Sequence, residues 1–278
     1  MVRIAIAQVD CQLGDVEANL ETARSQVLSA RDRGAELVVF PELSLHGYAL
    51  ATLDEDRSLR ADDPRLTVLG DHGPDVLVGF HEDGAIRRYN SAAYVSEGEV
   101  LHVQRKLYLP NYLVWEEKKH SSAGQDLRAF DARVGRVATL ICNDAWQPVV
   151  PWLAAQDGAE IMLIIADSAS GYGPESLDNI HYWTELLRFH AMMNQSWVVF
   201  CNRVGTERGA RFWGGSRVID PLGQVVAEAQ LWEPELLVCD IDVDKARHRR
   251  HEVPLVAEAR LDFVRREVTR LIADGGDA

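Results

Sequence analysis

Short apolar runs without polar alternation recur along the chain, and segments with helical spacing lie between them. Residues 2–9 form the first such run and predict a buried strand. Between Gly14 and Gly34 the apolar positions keep a helical spacing, which predicts a helix. Residues 36–40 form another strand-length run, as expected of a strand that is covered on both faces. This order of elements indicates an α/β fold.

The rest of the chain continues the pattern. Further strands are predicted at 75–81, 87–95, 100–104, up to Cys142, and at 160–166, 197–202, 213–219, 224–229 and 235–241. Helices are predicted at about 148–157, 177–194 and 255–273, the last with Leu255, Ala259, Phe263, Val264 and Leu271 on a buried side. Residues 105–124 are predicted to be a loop. Because no linker or repeat interrupts the chain, we expect one domain over 1–278, a mixed sheet system covered by helices.

Charge and composition narrow the possible partners. The formal net charge is −14, which repels nucleic acid and anionic lipid, so a small molecule or a protein is the expected partner. Lysine is scarce, and three of the four lysines fall between 106 and 119; they are Lys106, Lys118, Lys119 and Lys245. This cluster calls for an explanation.

The cysteines and the apolar runs bear on the compartment. No two of the four cysteines are close in sequence, which argues against a disulfide framework and a structural zinc site; they are Cys11, Cys142, Cys201 and Cys239. The N-terminus lacks a signal-peptide core, and the longest apolar runs are too short to span a bilayer. We therefore expect a cytoplasmic protein that is not embedded in a membrane.

Two charged residues directly follow predicted strands, where ligands sit in α/β folds. Glu42 follows the run at 36–40, and burial there would raise its pKa toward the range of a general acid and base. Lys106 follows the strand at 100–104, and a carboxylate holding it inward would make it a fixed charge for an oxyanion. Solvated loop positions are the alternative for both residues.

Cys142 also stands at a strand end, before a turn. There its sulfur would be exposed at the sheet edge, with the backbone N–H of Asn143 directed toward a group under attack. This is the arrangement of a thiolate nucleophile with an oxyanion donor. An inert core cysteine is the alternative. A Cys-His enzyme also stays open, with His46 as the histidine nearest to a strand end.

In combination these motifs resemble the nitrilase superfamily, the carbon-nitrogen hydrolases. The resemblance rests on Pro41-Glu42, Arg105-Lys106 with Leu109-Pro110, and Ile141-Cys142-x-Asp144 in this order. It extends over further landmarks: residues 4–8, 89–91, 188–194, 202–205, 214–216, 220–223 and 240–242. The resemblance implies a four-layer αββα sandwich and a Glu-Lys-Cys triad of Glu42, Lys106 and Cys142, with Glu117 as a second glutamate near the lysine. It further implies a homodimer or larger assembly, with about 245–278 at the interface.

The expected activity follows from this resemblance and from the chemistry of the residues. Cys142 would attack a small amide or carbamoyl compound and form a thioester, with release of ammonia or an amine and without a metal or an organic cofactor. Nitrile hydrolysis is an alternative. Residues 143–146 resemble the segment after the cysteine in the glutaminase domains of NAD synthetases, so a glutamine-type amidase that supplies ammonia is another. A scaffold or binding protein that keeps the fold is the non-enzymatic alternative.

Four residues are predicted to contact the substrate. They are Asn143, Trp115, Trp146 and Asp167. Asp167 facing the pocket would favour a cationic or hydrogen-bond-donating substrate, and a loop carboxylate facing water is the alternative. For the two tryptophans the alternative is core packing.

Overall fold

The computed structural model describes residues 1–112, 115–170 and 178–276, and strands are the most numerous elements in these ranges. In chain order the strands are β1 (Val2–Gln8), β2 (Leu37–Val39), β3 (Asp75–Gly84), β4 (Arg87–Ser96), β5 (Glu99–Arg105), β6 (Asn111–Tyr112), β7 (Trp115–Glu116), β8 (Ala129–Ala132), β9 (Gly135–Ile141), β10 (Ile161–Ala166), β11 (Ala169–Ser170), β12 (Trp197–Asn202), β13 (Val204–Glu207), β14 (Ala210–Trp213), β15 (Arg217–Ile219), β16 (Val225–Glu228) and β17 (Glu235–Ile241). The α-helices are α1 (Val16–Asp32), α2 (Pro64–Thr67), α3 (Val149–Gln156), α4 (Asn179–Asn194), α5 (Asp244–Glu252) and α6 (Leu261–Ala273).

Two six-stranded sheets organise these elements. One has the order β17-β1-β2-β3-β4-β5 and the other the order β16-β15-β12-β10-β9-β8. Strands β1, β2 and β3 run parallel to one another, as do β9, β10 and β12, while the remaining neighbours pair antiparallel. The sheet system is therefore mixed, as predicted.

Alternate side chains of the central strands belong to different hydrophobic cores. On β1, Ile4 and Ile6 enter a core shared by both sheets, which also takes Leu163 and Ile165 from β10. The residues between them face outward: Ala5 and Ala7 pack in the α1 layer, and their counterparts on β10 pack with α3 and α4. Because both faces of these strands are covered, their sequences lack polar alternation. The layers are helix, sheet, sheet and helix, which confirms the predicted αββα sandwich.

Most predicted elements are present with small shifts at their ends, and two predictions along the strands are wrong. The predicted strand at 213–219 is divided, because the chain turns at 214–216. Strand β14 pairs with β13 and β11 in a small separate sheet, whereas β15 joins the second large sheet. The predicted loop at 105–124 contains the antiparallel pair β6–β7 and a 3₁₀ turn over Glu117–Lys119.

The C-terminal part differs most from its prediction. Helix α5 was not predicted, and α6 begins later than the helix expected from 255 onward. The apolar side expected to be buried is solvent-exposed, since no residue of α6 is buried. The predicted burial of this side is therefore wrong within the chain. Helical spacing shows which residues share a face of a helix, but not what covers that face. The predicted start of α4 at Leu177 lies outside the described residues. No helix within the described ranges is long and apolar enough to cross a bilayer.

Candidate active site

The structure brings Glu42, Lys106 and Glu117 into direct contact. Glu42 follows β2 and Lys106 follows β5, while Glu117 begins the 3₁₀ turn after β7. The Lys106 Nζ atom donates to Glu42 Oε1 and to Glu117 Oε1, at 2.6 Å in each case. All three side chains are buried. Lys106 is thus held inward by carboxylates, whereas Lys118 and Lys119 of the same cluster are exposed.

The buried charges in this group depend on one another. Burial by itself lowers the pKa of Lys106, but Glu117 and Glu42 outweigh burial and hold that pKa well above its usual range. Lys106 is therefore a permanent cation. Burial raises the pKa of Glu117, and Lys106 opposes this rise. Because charge-assisted contacts hold the lysine on two sides, its ammonium group is fixed in position.

Three further groups orient the two carboxylates. The Tyr48 hydroxyl donates to Glu117 Oε1 at 2.5 Å, so this oxygen accepts from both Tyr48 and Lys106. The Asn90 side-chain amide donates to Glu42 Oε1 at 2.7 Å, and the Asp167 backbone N–H donates to Glu42 Oε2 at 2.8 Å. The roles of Tyr48 and Asn90 were not predicted from the sequence. Asn90 lies in one of the landmark segments, but nothing in the sequence around Tyr48 indicates a contact with Glu117.

Cys142 adopts a backbone conformation that is rare for a residue with a side chain. Its φ is +49°, in the left-handed region, and it begins a 3₁₀ turn over Cys142–Asp144 directly after β9. The thiol is half-buried at this strand-to-turn junction. Burial raises its pKa well above the usual range, Glu42 raises it further and Lys106 opposes both. The resting group is therefore a thiol, which needs a base before it can attack.

Asp144 connects the turn of Cys142 to the segment after Lys106. Its carboxyl group is buried and accepts hydrogen bonds from the backbone N–H groups of Leu107 (3.0 Å), Tyr108 (2.8 Å) and Ile141 (3.2 Å). Burial raises its pKa to about 7, although these three N–H groups and Lys106 lower it. Asp144 was part of the sequence motif without an assigned role, and the structure shows that it ties two strand ends together.

We expect Asp144→Asn to change how stability depends on pH. Between the unfolded pKa near 3.8 and the folded pKa near 7, folded wild type keeps a proton that the unfolded chain has lost. Wild-type stability therefore falls as pH rises through this window, by up to about 1.4 kcal/mol per pH unit from this group. Urea unfolding from pH 5 to pH 8 should show a steeper decline for wild type than for Asp144→Asn. Parallel profiles would contradict the assignment.

A cavity of about 280 Å³ opens above Cys142. The four predicted substrate-contacting residues all line it: Asn143, Trp115, Trp146 and Asp167. The remaining described lining is Tyr48, Pro110, Tyr112, Ser168, Asn179 and Trp183, together with Cys142. A larger, more open depression of about 800 Å³ lies beside residues 13–17 and 53–58 and holds none of the predicted residues. The smaller cavity is therefore the one that adjoins the chemistry.

Packing within the wall shows how these residues are held. Trp146 meets Trp183 edge to face, and Trp115 meets Tyr48 in the same way. The Asn143 side chain donates to the Tyr108 backbone oxygen at 3.1 Å. Asn143 also lies at the start of the 3₁₀ turn over Cys142–Asp144. The first backbone N–H groups of a helical turn have no partner within that turn.

Asp167 lies in the cavity wall, and its carboxylate lies beside Arg203. Its side chain is fully buried, and its Oδ2 lies 3.6 Å from Arg203 Nη1. Neither carboxylate oxygen accepts a hydrogen bond from a described residue. The predicted contact of Asp167 with a cationic or hydrogen-bond-donating substrate stays a prediction.

The structure does not support His46 as the base of a Cys-His pair. Its Nε2 atom lies 2.9 Å from the Arg57 backbone oxygen, and its Nδ1 accepts from the His81 backbone N–H at 3.1 Å. Burial lowers the pKa of His46 to about 3. Both ring nitrogens are therefore engaged in backbone contacts. Among the residues that the structure describes, no group of three or more His, Cys, Asp or Glu side chains is placed to hold a metal ion.

Comparisons with known proteins bear on the family of this chain. The family model described as "Carbon-nitrogen hydrolase" matches residues 3–251. A glutamine-dependent NAD(+) synthetase of Thermotoga maritima is 36% identical over 251 residues, 88% of this chain and 42% of the relative. The chain thus spans less than half of the length of that protein. An N-carbamoylputrescine amidase of Solanum tuberosum is 27% identical over 95% of this chain and 93% of its own length.

A solved structure adds a chemical observation on a relative. An amidase variant from Nesterenkonia sp. AN1, solved after Michael addition of acrylamide at its active-site cysteine, superposes with a TM-score of 0.76 at 27% identity. The match covers 91% of this chain and 98% of that protein. In that relative, the active-site cysteine reacts with an electrophilic amide.

Proposed function

Because the chain belongs to the carbon-nitrogen hydrolase family, and is thus an amidohydrolase of small molecules, we propose that it cleaves a small non-peptide amide through a thioester on Cys142. One observation carries this proposal. A buried ammonium group is shared by two carboxylates, and both Lys106 and Glu42 act electrostatically on the Cys142 thiol, which stands in the cavity wall. This combination provides a nucleophile, a base and a fixed positive charge in one place.

The first step forms the carbon–sulfur bond. Glu42 accepts the thiol proton, and the Cys142 sulfur attacks the carbonyl carbon of the amide, whose oxygen becomes an oxyanion. Lys106 has three N–H donors and directs two of them to Glu42 and Glu117. The third is available to the oxyanion, together with the Asn143 backbone N–H. Two donors that are fixed before the reaction stabilise this charge without reorganisation.

The next steps release the nitrogen and restore the thiol. Glu42 donates its proton to the amide nitrogen, the carbon–nitrogen bond breaks, and ammonia or an amine leaves behind the thioester. Glu42 then takes a proton from water, and the resulting hydroxide attacks the thioester carbonyl. The carbon–sulfur bond breaks, and the thiolate recovers the proton from Glu42. Glu117, which Tyr48 orients, keeps Lys106 in place throughout.

The cavity wall favours an uncharged acyl group. Aromatic rings form much of the wall, and no lysine or arginine is among the described lining residues. A substrate carboxylate would therefore lack a cationic partner in the described part of this wall. We propose neutral primary amides as the preferred substrates over glutamine.

Glutamine hydrolysis is the second candidate function, favoured by the similarity to the NAD(+) synthetase of Thermotoga maritima. Ammonia release from a panel of acetamide, propionamide, benzamide, glutamine, N-carbamoylputrescine and propionitrile separates the candidates. We expect kcat/KM for the best neutral amide to exceed that for glutamine by at least about tenfold, the cost of one unpaired buried polar group. Preference for glutamine would reverse the assignment. Failure to hydrolyse any compound would contradict the proposed function.

A further inference from the structure

Arg203 is a buried arginine near the active site that the proposed reaction does not use. It directly follows β12, within the landmark segment 202–205, and its relative exposure is 1%. Its guanidinium group lies 4.3 Å from the ring centroid of Phe212 and donates to the Cys11 backbone oxygen at 2.8 Å. Arg203 is not among the residues that line the cavity. Its donor groups are directed instead to Asp10, Glu207 and the Cys11 backbone oxygen.

Three carboxylates surround the Arg203 guanidinium group. Asp10 Oδ1 lies 2.9 Å from Nη2, and Glu207 Oε2 lies 2.9 Å from Nη1. Asp167 Oδ2 lies 3.6 Å from the same Nη1. The planar fork of a guanidinium group holds its donors at set angles, whereas the three donors of an ammonium group rotate. Arg203 thus connects three segments that are distant in sequence.

Two glycines leave space for this cluster. A Cβ atom at Gly47 would lie 2.5 Å from Glu207 Oε2, and a Cβ atom at Gly205 would lie 2.1 Å from the Asp10 carboxyl carbon. Both glycines also have positive φ, +79° and +97°. Any side chain at either position would displace a carboxylate from Arg203. The surrounding backbone is therefore shaped to fit the cluster.

One arm of contacts leads from Arg203 to Lys106. Glu207 uses its other oxygen to accept hydrogen bonds from the backbone N–H groups of Tyr48 (3.0 Å) and Ala49 (2.7 Å). This fixes the backbone of Tyr48, whose hydroxyl donates to Glu117. Glu117 in turn accepts from Lys106. The position of Lys106 thus depends on Glu207.

A second arm leads from Arg203 to Glu42. Arg203 pairs with the Asp167 carboxylate, and the Asp167 backbone N–H donates to Glu42 Oε2. Glu42 accepts from Lys106 through its other oxygen. The two arms therefore meet at Lys106 and close a ring of hydrogen bonds and ion pairs around the active site.

We propose that Arg203 is a positioning residue that sets the mutual placement of Glu42, Lys106 and Glu117 by holding both arms of this ring. This inference rests on the proposed function of those three residues. Misplacement of a reacting group by about 1 Å can cost about 10² in rate, so opening the ring should slow the reaction even though Arg203 is not among the residues that line the cavity.

The test compares Arg203→Lys and Glu207→Gln with the control Arg217→Lys. Arg217 is also a buried arginine (3% exposed), and it pairs with Glu228 at 3.1 Å outside the ring. With the best amide from the panel, we expect kcat to fall about 10- to 100-fold in both ring variants, with KM changed by less than about twofold. Arg217→Lys should keep kcat within about twofold while losing a comparable amount of thermal stability.

A second readout is the rate at which iodoacetamide alkylates Cys142 at neutral pH, located by peptide mass spectrometry. It needs no amide substrate, so it still tests the ring if wild type hydrolyses nothing and the proposed function fails. We expect a change of at least about fivefold in both ring variants and none in the control. The double variant Arg203→Lys with Glu207→Gln should be no slower than the slower single variant, since Arg203→Lys already opens the arm that Glu207→Gln opens.

Three results would overturn the proposal: kcat and alkylation rates that match the control, a rise in KM at constant kcat, or additive effects in the double variant. If Arg203→Lys does not fold, the same measurements on Glu207→Gln alone decide the outcome. This variant should fold, since the amide oxygen of glutamine can still accept hydrogen bonds from the backbone N–H groups of Tyr48 and Ala49.

Discussion

Cys142→Ala is expected to abolish amide hydrolysis without unfolding the protein. Loss of the nucleophile should lower kcat by at least about 10⁴-fold, because no other group can form the covalent intermediate. The thiol is half-buried at the edge of the cavity, so alanine removes little packing. Ammonia release by wild type and variant, at matched circular dichroism spectra, measures this effect.

Cys239→Ala is the matched control, because Cys239 is also half-buried but lies on β17, away from the cavity. It should keep wild-type activity. Acid-quenched wild type with a slow amide should also show a mass increase on Cys142 equal to the acyl group. Retention of more than about a tenth of the activity by Cys142→Ala would contradict a mechanism that needs the sulfur.

Lys106→Met is expected to impair both the reaction and the fold. Loss of an oxyanion donor costs about 10² to 10³ in kcat. The substitution also leaves Glu42 and Glu117 buried without their shared cation, and breaking a buried ion pair costs about 3–5 kcal/mol of unfolding free energy. Urea unfolding and steady-state kinetics measure the two losses separately.

The pH dependence and a second lysine sharpen this prediction. Lys106 lowers the pKa of Glu117, so without the lysine this carboxylate binds a proton more readily in the folded state, and the loss of stability should be smaller at pH 5 than at pH 8. Lys119→Met is the control, since Lys119 belongs to the same lysine cluster but is exposed and pairs with Glu116 at the surface. It should leave activity and stability near wild type. Equal effects of the two substitutions would show that burial of Lys106 carries no special role.

The interior strands were predictable because a strand that is buried on both faces has a continuous apolar sequence. The apolar run at 160–166 was enough to predict strand β10, and with it the position of the residues at the end of this strand. The prediction failed where an apolar pattern meets no partner. Helix α6 has the spacing of a packed helix, yet none of its residues is buried. Spacing reports which residues share a face, but not whether another element covers that face.

In the active site, too, some features were predictable from the local sequence and others were not. Glu42, Lys106 and Cys142 each follow a strand, so local sequence drew attention to them. The contacts of Tyr48, Asp144 and Arg203 join segments that lie far apart in the chain, and no local pattern encodes them. Asp167 shows the same limit, because its position after β10 was predictable and its pairing with Arg203 was not.

By itself, the sequence determined a mixed sheet system covered by helices and the strand ends at which charged and nucleophilic side chains stand. Both follow from local periodicity, whereas the four-layer order was implied by the resemblance to a family. Only the tertiary structure decided which carboxylates share Lys106, which cation lies beside Asp167 and which distant residues hold the group together. Those outcomes depend on how two sheets and their loops pack, and burial there makes each unpaired charge costly enough to select a single arrangement.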